Sequence, residues 1–120
     1  MTLAVLDDNV VIKMRQLTRR FGNFTAVDHL TLDVWRGQIF GVLGSNGAGK
    51  STLINMLTTL LPPSEGEVFG ADVSILADPA EVRRRIGYVP QMLSADGMLT
   101  GRENLLFSAR LYAVPAAKRR

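Results

Sequence analysis

Hydrophobic and polar residues alternate along two stretches near the start of the chain. Val10 to Leu17 alternates loosely and gives way to Thr18-Arg19-Arg20, and Ala26 to Trp35 alternates more closely. A period of two predicts half-buried strands, and Phe21-Gly22-Asn23 between them is a turn signal. Arg36-Gly37-Gln38 turns the chain again. The apolar run Ile39-Phe40-Gly41-Val42-Leu43 then predicts a short strand buried on both faces. After a glycine-rich stretch the period changes. From Lys50 to Leu61 the apolar positions Leu53, Ile54, Leu57, Leu60 and Leu61 recur at helical spacing, and Pro62-Pro63 stops the helix. Further on, Gly66 to Gly70 reads as a short strand and Pro79 to Arg85 as a helix with proline in its first turn. Ile86 to Val89 is predicted as a strand broken by Pro90-Gln91, and Glu103 to Tyr112 as an amphipathic helix. Pro115 to Arg120 begins a further helix. This mixture of strands and helices predicts an α/β fold.

Composition changes the picture only modestly. A chain of 120 residues, 47% hydrophobic and 21% charged, reads as one globular domain. A domain of that size buries roughly two-thirds of its unfolded surface. Cysteine is absent, which excludes a disulfide framework and thiolate metal sites and fits a reducing cytosol. The net charge of +3 includes two basic runs, Arg83-Arg84-Arg85 and Lys118-Arg119-Arg120. Both read as solvated faces. No aromatics interleave with the arginines, so no nucleic-acid partner is expected. No segment approaches the roughly 18 apolar residues of a membrane span. The first residues carry Asp7 and Asp8 and no basic leader, so they are not read as a secretory signal. Any work at a membrane is expected to go through a partner.

The chemistry concentrates in Gly44-Ser45-Asn46-Gly47-Ala48-Gly49-Lys50-Ser51. This meets the pattern G-x-x-x-x-G-K-[ST]. With glycine at about 7% of residues, a chain this long meets it by chance on the order of once in a few hundred cases. Its setting, after an apolar run and before a periodic helix, is the one the motif requires. Glycines free the backbone to wrap a phosphate chain with its N–H groups inward. The helix beginning at Lys50 opens with unpaired donors and a partial positive charge. Lys50 is expected against the β- and γ-phosphates, Ser51 on Mg²⁺, and Thr52 near the α-phosphate. The expected ligands are therefore ATP and Mg²⁺. His29 reads as a surface or partly buried histidine with no metal partner, and Trp35 as packing.

Phosphate loops serve many enzymes, so the loop alone does not name the job. From about Val11 to Tyr112 the sequence resembles the ATP-binding cassette (ABC) subunits of transporters. The loop Gly44 to Leu53 is similar to that family's form of the motif. Arg20-Phe21-Gly22-Asn23-Phe24-Thr25-Ala26-Val27 resembles the stretch where the family sets an aromatic ring against adenine, which implies that role for Phe21. Gly87-Tyr88-Val89-Pro90-Gln91 resembles the family's Q-loop, which implies that Gln91 reaches toward Mg²⁺ and the attacking water. Pro62 to Val68 is similar to the family's link after its first helix. Leu99-Thr100-Gly101-Arg102-Glu103-Asn104-Leu105 resembles a segment of the branch that exports drugs, antibiotics or polysaccharide.

The resemblance implies the P-loop core of an ABC nucleotide-binding domain with an N-terminal antiparallel β portion. Residues 1–120 would form a partial domain, ending before most of the helical subdomain. No Leu-Ser-Gly-Gly-Gln signature occurs, and no four apolar residues are followed by Asp-Glu. The look-alikes Leu3 to Asp8 and Ser74 to Asp78 are rejected because neither lies downstream of a signature. The later histidine of the family is also missing. Three functional expectations compete. The first is the ATP-binding component of a transporter, coupling ATP hydrolysis to export of a drug-like or lipophilic compound. It would pair with a transmembrane permease, docked around Gln91 to Leu99, and with a second ATP-binding subunit at the inner face of the membrane. The second is a fragment that binds nucleotide without turnover. The third, a small-molecule kinase, would need an acceptor site and a lid of arginines. The isolated chain is expected to be marginally stable or aggregation-prone, with the Ile39–Leu43 run exposed.

Overall fold

The computed structural model describes residues 9–45, 47, 49–91 and 95–119. The chain divides between Ile86 and Gly87 into two compact units, each described by itself.

The first unit is built on a long hairpin. Strand β1 runs over Val10–Phe21 and β2 over Phe24–Trp35, joined by the two-residue turn Gly22-Asn23. They pair antiparallel from Val10↔Trp35 to the closing pair Phe21↔Phe24. The predicted strand thus extends through Thr18-Arg19-Arg20 up to the turn. The hairpin is interrupted by register shifts, with Gln16 (φ 52°) and His29 (φ 45°) in the left-handed region. Two threonine hydroxyls repair the broken ladder. Buried Thr18 accepts from the His29 N–H at 3.0 Å, and Thr31 accepts from the Gln16 N–H at 3.0 Å. Strand β3 (Glu65–Gly70) adds antiparallel to the other edge of β1, and β4 (Val73–Ser74) to β3, giving the order β2-β1-β3-β4. Gly66 has φ 92°, and a Cβ there would overlap the carbonyl oxygens of Gln16 and Arg15, so β3 approaches the bulge closely only as glycine.

Helices cover the sheet. Helix α1 spans Lys50–Leu57 and α2 spans Pro79–Arg85. Leu53 and Met56 from α1 and Val82 from α2 join Met14, Leu17, Val27, Val68 and Ile75 in one core. Helix α1 stops four residues before the expected Leu61. The Thr58 hydroxyl bonds the Ile54 carbonyl at 2.8 Å, and Thr59 turns left-handed (φ 69°). The Thr59 and Leu60 N–H groups then close onto the carbonyls of Met56 and Asn55, a Schellman ending made without glycine. Asp78 caps α2 by accepting from the Glu81 N–H at 3.2 Å, which explains its look-alike position as a helix start. Of the basic run, Arg84 and Arg85 pair with Glu81, and Arg83 donates to the Thr59 hydroxyl at 2.6 Å.

Two predicted strands are corrected. Residues 39–43 are not a strand, and Ile39 is 100% and Leu43 96% exposed. Apolar composition makes a strand only where a neighbour completes the hydrogen-bond ladder, and among the described residues none pairs with this run. Its exposure agrees with the expectation of uncovered apolar surface there. Residues 86–89 likewise carry no strand, and Val89 is 93% exposed.

In the second unit, helix α3 (Gly101–Leu111) begins with a reciprocal cap. Thr100 accepts from the Glu103 N–H at 3.2 Å and its own N–H donates to the Glu103 carboxylate at 3.0 Å. Helix α3 starts two residues before the predicted Glu103 because this cap sets the boundary. Asn104 ties the helix back to the Asp96 carbonyl at 3.0 Å. Ala116–Lys118 form a single 3₁₀ turn where a further helix was expected. Arg120, and with it one end of the second basic run, lies outside the described residues, as does the Leu3–Asp8 look-alike.

Candidate functional site

The glycine-rich loop leads into α1. Gly47 (φ 83°) and Gly49 (φ 86°) both take left-handed conformations, and Gly49 is the residue that starts the helix. A Cβ on Gly49 would overlap the Ala26 carbonyl oxygen of β2. Glycine at this position therefore lets the loop pass against the edge strand of the sheet. Asn46 and Ala48 lie outside the described residues; Gly44 and Ser45 are exposed and irregular.

The start of α1 differs from the other two helix starts. Asp78 caps α2, and Thr100 with Glu103 caps α3. Helix α1 has no side-chain cap and no acid in its first turn. Its first helical bond runs from the Leu53 N–H to the Gly49 carbonyl at 2.9 Å. The N–H groups ahead of Leu53 therefore have no partner within the helix. The same turn carries a cation, and the Lys50 Nζ donates to the Gly44 carbonyl oxygen across the loop. Unpaired donors, the positive end of the helix and an ammonium converge where an anion is favoured.

A cavity of about 350 Å³ opens at this point, lined by Phe24, Ala26, Gly47, Gly49, Lys50, Ser51 and Thr52. The structure thus brings Lys50, Ser51 and Thr52 together with the loop glycines. A second cavity of about 220 Å³ shares Ala26, Gly49 and Lys50 with it and is lined also by Val27, Asp28, Leu30, Val42, Leu43 and Leu53. Phe21 is not among the residues lining either cavity. It stands opposite Phe24 on β1, with the Arg19 guanidinium 4.7 Å from its ring centre. Arg19 in turn donates to the Pro62 carbonyl at 2.7 Å. Gln91 is exposed on a bend in the second unit, beside Met92 to Ser94, which lie outside the described residues.

Sequence reasoning missed Phe24 and Ala26. The signal was available. A two-residue turn at Gly22-Asn23 sets Phe24 directly across from Phe21, and Ala26 sits at the register shift between Thr25 and Val27.

Residues 27–120 match the family described as ABC transporter. The chain belongs to the ABC transporter family. It is 46% identical over 111 residues to the daunorubicin/doxorubicin resistance ATP-binding protein DrrA of Streptomyces peucetius, covering 91% of this chain and 33% of that protein. It is 40% identical over 104 residues to the probable multidrug ABC transporter ATP-binding protein YbhF of Escherichia coli, covering 87% of this chain and 18% of that protein. It is also 40% identical over 108 residues to the bacitracin transport ATP-binding protein BcrA of Bacillus licheniformis, covering 88% and 35%. Among solved structures, the ATP-binding subunit of an ABC transporter superposes with a TM-score of 0.78 at 27% identity, over 89% of this chain and 45% of that one. The cassette MJ0796 bound to ADP and Pi superposes at 0.73 and 28% identity, over 90% and 52%. The chain therefore spans about a fifth to a third of these curated relatives and about half of these structures. The expected fold, an ABC ATP-binding domain with an antiparallel N-terminal sheet, holds. Among the described residues no helix is long and apolar enough to cross a membrane.

Proposed function

We propose that these residues form the ATP-gripping part of an ABC transporter's ATP-binding component, one that powers export of a drug-like or lipophilic compound. The observation that carries the nucleotide reading is the start of α1. It is the one α-helix among the described residues that lacks a side-chain cap, and Lys50 sits in its first turn, directly after Gly49, which lies against Ala26 of β2. Lys50 takes the β- and γ-phosphates by exchanging the Gly44 carbonyl for phosphate oxygens. The export reading rests on the similarity to DrrA, a drug-resistance protein, YbhF, a probable multidrug transporter protein, and BcrA, a bacitracin transport protein.

Mg²⁺ fits this site as an ion that arrives with the nucleotide. Ser51 offers a hydroxyl to the cavity, and no cluster of acidic or histidine side chains preforms a metal cage among the described residues. Mg²⁺ is commonly held mainly by phosphate oxygens and water with few protein ligands. Bound there, it neutralises phosphate charge. Gln91 is proposed as a further contact to the ion and the attacking water. A transmembrane permease docking near Gln91 to Leu99, a second ATP-binding subunit, and a position at the cytoplasmic face of the membrane complete the proposal.

The cavity lining favours a narrower second reading for the 120 residues alone. It provides backbone donors, an ammonium and hydroxyls, with no carboxylate among the described lining residues. That set grips phosphates but offers no group to position water through a base. The 120-residue chain is therefore expected to bind ATP without multiple turnover. Titration calorimetry and a multiple-turnover ATPase assay, each beside Lys50→Ala, test both readings. Binding that falls at least tenfold in Lys50→Ala supports the grip. Nucleotide binding indifferent to Lys50 overturns it, and turnover that vanishes with Lys50 overturns the binding-only reading.

A further inference from the structure

We infer that the arginine run of α2 is a brace for the phosphate site, with Arg83 as its positioning residue and Thr59, at the end of α1, as the point it holds. The inference rests on the nucleotide reading above and adds how that site is kept in place.

Outside the β1–β2 hairpin, the described residues of the first unit hold three non-glycine positions in the left-handed region: Thr59 (φ 69°), Ala71 (φ 50°) and Asp72 (φ 66°). Such positions carry a steric cost, persist only where their surroundings hold them, and gather at functional sites. Two of the three are held by α2. The Arg83 Nε donates to the Thr59 hydroxyl at 2.6 Å, and the Arg85 guanidinium donates to the Ala71 carbonyl at 2.9 Å. Ala71-Asp72 is the turn between β3 and β4, so Arg85 ties α2 to the sheet while Arg83 ties α1 to α2. Arg84, between them, pairs with Glu81 and is largely exposed. The run that sequence alone reads as a solvated face is thus two ties and one surface residue.

The tie at Thr59 matters because α1 has another place to end. Its apolar residues keep the helical period as far as Leu61, just before Pro62-Pro63. The helix instead stops at Leu57, and Leu60 is 63% exposed. Thr59 is neither glycine nor asparagine, the residues that usually take a left-handed helix end. The short form therefore depends on an outside hold, and Arg83 supplies it. The Arg19 bond to the Pro62 carbonyl anchors the segment just beyond.

Helix α1 has eight residues, of which Leu53 and Met56 are buried. Its start is pinned where Gly49 meets Ala26, and its end where Thr59 meets Arg83. A helix of about two turns moves as one body. Releasing its far end lets the first turn, with Lys50 and Ser51, drift from the loop glycines.

Titration calorimetry of the full chain with MgATP and inorganic tripolyphosphate tests this, on variants shown by circular dichroism to be folded. Arg83→Met should weaken both probes alike, by about fivefold or more, because the tie acts on the phosphate end. Thr59→Ala removes the accepting hydroxyl and keeps the charge of the run. It should lose the same factor, and it carries the test alone if Arg83→Met does not fold. Arg84→Met should change neither probe by more than about twofold. Glycine takes the left-handed conformation without a hold, so Arg83→Met combined with Thr59→Gly should return to within about twofold of the parent. An arginine that only stabilised the fold would leave the affinity of the folded chain where it was. Unchanged affinity in folded Arg83→Met or Thr59→Ala overturns the inference. So does an equal loss in Arg84→Met, or a loss that Thr59→Gly does not recover. A parent that binds both probes, with every variant alike, removes the brace and leaves the phosphate grip standing. A parent chain that binds neither probe removes the nucleotide reading itself, and this inference with it.

Discussion

Gly49 meets Ala26 backbone against backbone: the glycine that starts α1 is so close to the Ala26 carbonyl oxygen that no side chain fits between them. This contact ties the phosphate loop to the edge strand of the sheet. Phe24 and Ala26 of that strand line one cavity together with Lys50 and Ser51. Gly49→Ala should therefore damage the loop and the fold together. It adds a clash to a left-handed backbone (φ 86°), at a cost of about 1–3 kcal/mol for the strained conformation alone. Urea unfolding and nucleotide titration on the same variant should both move. A variant with unchanged midpoint and affinity would contradict the contact.

Thr18 makes a second prediction. Its buried hydroxyl accepts from the His29 N–H and donates to the Gln16 carbonyl at the bulge. Thr18→Val keeps the volume but strands the His29 donor in the interior. Stability should fall by about 1–3 kcal/mol, the usual cost of an unsatisfied buried group. The His29 amide should exchange with deuterium far faster than its neighbours on β2.

The Ile39–Leu43 run predicts solution behaviour of the 120-residue chain. Ile39 and Leu43 are almost fully exposed, so Ile39→Lys with Leu43→Lys should alter stability by no more than about 0.5 kcal/mol. It should raise solubility and delay aggregation, read by light scattering during slow heating. A large drop in melting temperature would show that the run packs where the structure leaves it open.

Acid should loosen α2 for a defined reason. Hydrogen bonds from Arg85 and then Arg84 hold the Glu81 carboxyl below its ordinary range. The unfolded chain then binds protons more readily than the folded one in mild acid. The resulting stabilisation is complete above the ordinary carboxylate value and is lost as pH falls through the lower folded value. Glu65 follows the same sign, through its hydrogen bond from Arg20. Glu81→Gln should flatten the fall in melting temperature between neutral pH and about pH 3, and added salt should shrink the effect, because these pairs are exposed.

Much of this protein was legible from local signals. The Gly22-Asn23 turn and the Pro79 helix each depend on a few adjacent residues. So does the phosphate loop, whose glycines and Lys50-Ser51 carry their conformational and chemical reasons within eight positions. Alternation located β1 and β2 because one face of each is covered by the core.

Tertiary structure decided the rest. Residues 39–43 have the composition of a buried strand, yet a strand exists only when another backbone completes its ladder, and composition says nothing about that neighbour. The end of α1 at Leu57 came from Thr58 and Thr59 folding back on carbonyls that the helical period ignores. The bulge at Gln16 and His29 required two hydroxyls on opposite strands, a pairing set by register. Phe21 and Phe24 pair across the hairpin end, yet only Phe24 lines the cavity beside the loop, on the edge strand that meets Gly49. The chemistry the loop offers is written in eight adjacent residues. The packing of strand against loop decided what surrounds that chemistry, because distance between residues far apart in the chain is a property of the folded backbone alone.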